Sequence, residues 1–334
     1  MFQCVSPLNL QFELTYRCNN HCVFCYNNSY DFSECSERSE ISTEDAKNVI
    51  QNAKDSGVMS LNFNGGEPLC RTDFFEIATF AKDCGLDIHL NTNASLINEE
   101  KAQQISKLFP SICTTILSGD ERIHDSLSKR SGAFFDAIKG IKLLQKHTVY
   151  VAVNLMLCSK NCSNIESAFD LLRSLNIKTL LITRYVPNQP NETELPISDD
   201  DFFLVIRKLR DYQEEYKCFD RIALPQPIKL CIVPHEIFQA VYDWNIPCNI
   251  GLCTASIDAY GDITPCNLIK KPVLGNAVTT SLAEIWSLFD GVTYCKTQHL
   301  MQQCLQCTYI EACGGGCKGF NLTTENKENT NDLL

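Results

Sequence analysis

Cys18, Cys22 and Cys25 stand in a C-x3-C-x2-C array within ELTYRCNNHCVFCYN, directly after a short apolar stretch. Three thiolates can hold three irons of a cubane cluster, one sulfur to each iron, and leave the fourth iron open to a ligand the protein does not supply. An open iron can do chemistry, whereas a fully ligated one mostly carries electrons. Taken alone, the same array also suits a zinc site short of one ligand. His21, inside the loop, reads as packing or outer support and not as a ligand.

Further along comes NGGEPL, Asn64 to Leu69, where paired glycines let backbone approach a ligand closely. A plain glycine turn would look the same. Together with the cysteine array it resembles the signature of radical S-adenosylmethionine (SAM) enzymes, in which the amino and carboxylate groups of SAM chelate the open iron. The resemblance implies that Tyr26 lies beside the adenine and that Gly65, Gly66 and Glu67 meet the SAM amino group. LNTNASL resembles the family's TNG segment with Ala94 in place of glycine, so no glycine-only backbone angle is expected there. His124, Asp125 and Arg130 resemble the family's loop after the fourth strand, making Ser118 and Arg130 candidates for the SAM carboxylate and ribose. A solvated loop with a surface arginine is the alternative. Arg184, just before Pro187, is a third candidate, since a planar guanidinium suits carboxylates; it could equally hold the substrate.

A second cysteine-rich region begins at Cys248. It reads C-x12-G-x4-C, ending at Cys266, and later C-x2-C-x5-C-x3-C over Cys304, Cys307, Cys313 and Cys317. This resembles the SPASM domain, an extension that binds two auxiliary iron-sulfur clusters; zinc knuckles would use similar CxxC pairs. The resemblance implies that Cys248, Cys253, Cys266 and Cys317 hold the nearer cluster and Cys304, Cys307 and Cys313 the farther one. The family's usual final cysteine follows the C-x3-C, and none does here, so either Cys295 or another stray thiol closes the cluster, or an iron there is open. Cys295 is the preferred substitute. Nine further cysteines, at 4, 35, 70, 84, 113, 158, 162, 218 and 231, fall in no motif, and most are expected to be small buried hydrophobes.

These groups need a scaffold. The 334 residues suffice for a large domain plus a smaller one. Twenty cysteines would suggest disulfides in a small secreted protein, but this chain is long and its opening MFQCVSPLNLQF lacks an export pattern, so a cytoplasmic, metal-loaded, oxygen-sensitive protein is expected. No apolar run approaches the roughly 20 residues of a membrane span. A net charge of -11 argues against a nucleic-acid partner.

Strand patterns at Leu8–Thr15, Val58–Asn64, Leu86–Asn91, Ile112–Leu117, Val149–Leu157 and Lys178–Tyr185 alternate with helical patterns at roughly thirty-residue intervals, as in repeated βα units. The first helix shows Ser42 as N-cap, a stripe of Ala46, Val49, Ile50 and Ala53, and Gly57 as its stop. Six units are too few for the usual eight-stranded barrel, so the fold expected is α/β, a partial (β/α)6 barrel followed by a small cysteine-rich domain. The boundaries expected are 8–187 for the barrel, 188–245 for a linker and bridge, 246–320 for the SPASM domain and 321–334 for a disordered tail.

The resemblance implies that one electron cleaves SAM to methionine and a deoxyadenosyl radical, which takes hydrogen from an unactivated carbon while the protein positions the reactants. It implies SAM and [4Fe-4S] clusters as cofactors, about twelve irons in three cubanes, and an external donor such as flavodoxin or ferredoxin. Most SPASM proteins act on peptides or proteins, so maturation of a ribosomally made peptide is the first expectation. Sulfatase maturation is less consistent, because Asn267 follows Cys266 where that family carries an acidic base. A tetrapyrrole or amino sugar is a further option, and a turnover-free electron carrier the non-enzymatic one. With about nine residues before the first strand, a separate peptide-recognition protein is an expected partner.

Overall fold

In the computed structural model, residues 3–27, 38–187, 194–299, 304 and 306–324 are described. In chain order these form β1 (Asn9–Thr15), α1 (Thr43–Asp55), β2 (Ser60–Gly65), α2 (Phe74–Asp83), β3 (Asp87–Thr92), α3 (Glu99–Leu108), β4 (Ser111–Ile116), α4 (Glu121–Ser128), α5 (Ala133–Lys146), β5 (Tyr150–Leu157), α6 (Ile165–Ser174) and β6 (Thr179–Arg184). There follow α7 (Asp199–Tyr216), β7 (Arg221–Ala223), α8 (Phe238–Trp244), β8 (Thr254–Ile257), β9 (Asp262–Thr264), β10 (Gly275–Asn276), α9 (Leu282–Ser287), α10 (Gly291–His299), α11 (Ile310–Cys313) and α12 (Lys318–Thr324). Each of the six expected strands is present within two residues of its predicted ends.

The chain divides into two compact units: Met1–Thr114 with Phe135–Val151 and Asn249–Cys295, and Thr115–Phe134 with Ala152–Cys248 and Lys296–Leu334. These edges cut across the expected 8–187 and 246–320 boundaries.

In the first unit β1 lies between β2 and β8, parallel to both, with Phe12 opposite Phe63 on one side and Ile257 on the other. β2, β3 and β4 continue in parallel, while β9 and β10 extend β8 in antiparallel order. The Ser42 hydroxyl accepts from the Asp45 N–H, and α1 buries Ala46, Val49, Ile50 and Ala53, the stripe read from sequence. Phe12 stacks on Phe63 at 6.3 Å, and Phe63 meets Phe74 of α2 edge-on at 5.7 Å, which fixes the helix-covered face of the sheet. Because successive strand side chains alternate, the opposite face carries Gln11, Glu13, Asn62, Asn64, His89 and Asn91. It is a polar face where a parallel strand normally shows apolar side chains.

In the second unit β5, β6 and β7 are successive and parallel. The expected linker contributes to this core through Leu195 and Ile197, 5% and 6% exposed, and Ser198 caps α7, whose first turn carries Asp199, Asp200 and Asp201 facing the positive end of the helix dipole. The expected tail keeps a helical start at 321–324, and 325–334 lie outside the described residues.

His124 is 3% exposed in α4, edge-on to Phe134, and burial pushes its pKa down to about 4 from 6.5. The unfolded chain therefore takes up a proton that the folded chain refuses as pH falls from 6.5 towards 4, so this residue costs stability in that window. His124→Phe should remove about 1 kcal/mol of the stability difference between pH 7.5 and 5.5, read from urea midpoints of the two proteins. Equal pH dependence in both would contradict a buried neutral imidazole.

Candidate iron-sulfur and cofactor site

The cysteine loop leaves the end of β1. Cys18, Cys22 and Cys25 are half-buried, and the Cys25 N–H donates to the Cys22 carbonyl at 3.1 Å, closing a tight turn. Burial pushes the Cys18 thiol up to about 12, with Glu67, Cys25 and Cys70 adding negative charge nearby and the Asn20 N–H, 3.4 Å from the sulfur, opposing them. Such a thiol stays neutral until a metal takes its proton. Three soft sulfur donors on one loop fit a cubane, which asks for one thiolate per iron. Among the described residues no three Cys, His, Asp or Glu side chains converge on one point as a single-ion site would need.

Gly65 and Gly66 sit directly on the strand that feeds this loop. The Gly66 N–H donates to the Thr15 carbonyl at 2.7 Å and the Glu67 N–H to the Arg17 carbonyl at 2.9 Å. A Cβ at Gly66 would stand 2.3 Å from the Arg17 oxygen, and one at Gly65, where φ is +114°, 2.5 Å from the Thr15 oxygen. The fully buried Glu67 carboxylate accepts from Leu69 N–H (3.1 Å), the Thr92 hydroxyl (2.8 Å) and Asn93 N–H (2.7 Å), and burial raises its pKa despite these bonds. Asn93 in turn donates to Asn19 at 2.9 Å, beside Cys18. The glycine loop and the LNTNASL loop thus clamp the cysteine loop from two strands.

Ala94 departs from expectation. Its φ is +61°, the left-handed region that favours glycine, and the position is held there by an N–H bond to the Thr92 hydroxyl at 3.1 Å. Alanine at this site signals tolerance of the angle and not its absence.

A buried polar cluster in the same unit was not legible in the motifs. Glu13, 0% exposed, pairs with Lys270 at 2.8 Å and accepts from the Tyr16 hydroxyl and Asn27 at 3.1 Å each. The Lys270 ammonium also stands 5.5 Å from the Tyr26 ring centroid, and the Tyr26 hydroxyl accepts from the Asn267 amide at 3.2 Å. Burial and Glu13 keep both tyrosines protonated. Tyr26 is thereby fixed next to Cys25, and Asn267, at the position where sulfatase maturases carry an acid, serves as its hydrogen-bond donor. Alternate polar residues in LQFEL and LNFNG were the available signal.

Ser118, Arg130 and Arg184 belong to the second unit. The buried Ser118 hydroxyl accepts from Asp120 N–H at 3.1 Å. Arg130 is half-buried just beyond α4, a helix missed from sequence that starts at an Asp120 cap. Asp125 accepts from Gly132 and Phe134 N–H groups at 2.6 and 2.9 Å, so its role within this unit is to start α5. Arg184, 6% exposed, pairs with Asp199 at 2.7 Å and lies between the rings of Phe202 and Phe320 at 4.7 and 4.1 Å. Its guanidinium is occupied on both faces.

Of the SPASM-type cysteines, Cys253, Cys266 and Cys295 fall in the first unit and Cys248, Cys304, Cys307, Cys313 and Cys317 in the second. Cys317 is buried and its thiol is pushed up to about 11 by burial and by Cys248 beside it. The next residue, Lys318, is 1% exposed and its ammonium has no hydrogen-bond partner among the described residues. A buried, unpaired cation is costly, and a net-negative iron-sulfur cluster on these thiolates would supply its counter-charge. The residues therefore fit the group. Gly314, Gly315 and Gly316 all have positive φ, which lets the chain turn tightly between Cys313 and Cys317. Of the stray cysteines described, only Cys158 and Cys218 are buried, Cys231 is exposed and the rest are intermediate; Cys35 lies outside the described residues. Cys4 lies with its sulfur 2.6 Å from that of Cys253. Packing alone thus does not account for most of them.

Comparison with known proteins falls on these segments. Residues 12–172 match the Radical SAM superfamily and residues 248–308 match SPASM, an iron-sulfur cluster-binding domain. The AdoMet-dependent heme synthase of Methanosarcina barkeri (strain Fusaro / DSM 804) is 26% identical over 326 residues, covering 93% of this chain and 91% of that protein. The antilisterial bacteriocin subtilosin biosynthesis protein AlbA of Bacillus subtilis (strain 168) is 26% identical over 334 residues, covering 97% of this chain and 70% of that protein. Among solved structures, native anSMEcpe with bound AdoMet shares the fold with a TM-score of 0.74 at 19% identity, covering 94% of this chain and 90% of that one. Streptococcus suis SuiB bound to precursor peptide SuiA gives 0.74 at 20% identity, covering 94% and 72%. The α/β radical SAM fold with a parallel sheet and a C-terminal SPASM domain, expected from sequence, is shown. No helix among the described residues is long and apolar enough to cross a membrane.

Proposed function

This chain is a radical SAM enzyme with a SPASM domain, and from that premise we propose that its substrate is a peptide, oxidised at a side-chain carbon to install a crosslink or a related modification. Radical SAM domains bind SAM and a [4Fe-4S] cluster, and SPASM domains bind auxiliary clusters. When bound and reduced by a flavodoxin- or ferredoxin-type donor, SAM and its cluster supply a radical that takes hydrogen from an unactivated carbon. Cys18, Cys22 and Cys25 would hold the first cluster, with Tyr26 and the Gly65–Glu67 loop beside it. Ser118, Arg130 and Arg184 are kept as candidates for SAM or substrate contacts.

The observation that carries the peptide reading is the polar sheet face of the first unit. Gln11 Oε1 accepts from the Asn62 and Asn64 amides at 2.9 and 2.7 Å, and each asparagine leaves a buried Oδ1 without a partner among the described residues. A buried acceptor with no donor costs about 1–3 kcal/mol, and a peptide backbone brings N–H donors that would satisfy such a row. The AlbA likeness points the same way.

One finding favours a second reading. The heme synthase match spans more than nine-tenths of both chains, which would make the substrate a tetrapyrrole. Propionate side chains want free cations, however, and the lysine at this face, Lys270, is paired with Glu13. Asn267 donates to Tyr26 where a sulfatase-type oxidation would want a base.

Reconstituted enzyme, dithionite and SAM should form deoxyadenosine faster with a precursor peptide encoded beside this chain than with iron porphyrins. Asn62→Ala together with Asn64→Ala should raise the peptide KM about tenfold, as expected for lost hydrogen bonds, and leave peptide-independent SAM cleavage unchanged. Stimulation by a tetrapyrrole and by no peptide would overturn the proposal. Retention of a precursor on the chain alone, at the affinity of the complete system, would remove the need for a separate recognition protein.

A further inference from the structure

We propose that Cys231, which belongs to no cysteine motif, is the fourth protein ligand of the second auxiliary cluster; the inference rests on the SPASM reading of Cys304, Cys307 and Cys313. These three thiols and Cys231 line one pocket in the second unit. Three of its four sulfurs form the C-x2-C-x5-C run that the resemblance gives to a single cluster and leaves one ligand short. The missing sulfur stands on the same wall.

The chain holds it there by local structure. Leu230–Ile232 form a single 3-10 turn anchored by the buried Leu230, and Cys231 is the exposed residue at its centre. The preceding residues are strapped to the cysteine run, because the Cys317 N–H donates to the Pro227 carbonyl at 2.8 Å and the Cys313 thiol to the Ile228 carbonyl at 3.8 Å. Lys229 also lines the pocket, and the Cys231, Cys304 and Cys313 thiols are among the charges acting on it. Four thiolates and an adjacent ammonium suit a cluster of net negative charge. Cys295 is differently engaged: it is 0% exposed, and its thiol donates to the Ile250 carbonyl at 3.4 Å. Because Cys231 precedes the run, a search for a cysteine after Cys317 passes over it.

The test uses the full chain, reconstituted anaerobically with iron and sulfide, as wild type, Cys231→Ala, Cys231→Ser and Cys295→Ala. Iron and sulfide content, Mössbauer spectra and electron paramagnetic resonance of the reduced protein are compared. The proposal expects both Cys231 variants to lose between one and four of about twelve irons, with the SAM-dependent change in the first cluster's signal intact, and Cys295→Ala to keep the full content. Full iron and an unchanged auxiliary signal in Cys231→Ala, or loss of iron in Cys295→Ala instead, would overturn it. Wild type holding zinc in place of the second auxiliary cluster would overturn the SPASM ligand assignment itself, an outcome visible before any variant is made.

Discussion

Cys18→Ala should fold, keep its auxiliary iron and cleave no SAM. On the proposal that Cys18, Cys22 and Cys25 would hold the first cluster, none is spare, so removing one would leave the irons with two protein sulfurs and an exposed edge. Iron content should fall from about twelve to about eight per chain, and deoxyadenosine formation with dithionite should drop below detection. The SAM-induced change in the reduced spectrum should vanish with it. Cys70→Ala is the control, because Cys70 is close enough to Cys18 for its charge to act on it yet belongs to no array. If Cys70→Ala lost the cluster as Cys18→Ala does, the site would have four thiolates and no open iron. Continued SAM cleavage by Cys18→Ala would remove the basis of the enzyme assignment.

Much of this was legible because the strands are apolar at every second position and helices such as α1 announce both ends, Ser42 at the start and Gly57 beyond the stop. The cysteine spacings coincide with local turns, in which the Cys25 N–H donates to the Cys22 carbonyl and the Cys307 N–H to the Cys304 carbonyl. What escaped depends on contacts far apart in sequence. The pairing of β8 with β1 joins residues 254–257 to 9–12, and four apolar-polar residues in a cysteine-rich stretch give no hint of their partner. The Glu13, Lys270, Tyr26 and Asn267 cluster likewise needs three separate segments to meet. Ala94 misled for another reason: residue type reports which angles are cheap, whereas tertiary bonds decide which angle is used. The expectation that most stray cysteines are buried hydrophobes fails at Cys4, Cys70, Cys84, Cys113, Cys162 and Cys231, none of which is buried, because a thiol's polarity alone does not decide where it packs.

Gly66→Ala should be the most damaging change that touches no ligand. The family resemblance gives Gly65 and Gly66 to the SAM amino group, yet in this chain the nearest atoms to a Cβ at Gly66 are the Arg17 and Tyr16 carbonyl oxygens, 2.3 and 2.8 Å away. Both are backbone, so no side chain can swing clear. Relief requires β2 to part from the end of β1, which breaks the 2.7 Å bond from Gly66 N–H to Thr15 and moves the residue immediately before Cys18. Overpacking of this kind costs about 1–3 kcal/mol in stability, and SAM cleavage should fall by at least about a hundredfold, since misplacement by an ångström at a reacting centre carries that penalty. Iron content separates the two roles. If the glycines served only a bound ligand, the variant would retain its first cluster and show a raised KM for SAM alone. Because they clamp the cysteine loop, the first cluster's iron should be lost together with activity, while auxiliary iron, which the proposal puts on thiols of other segments, should stay.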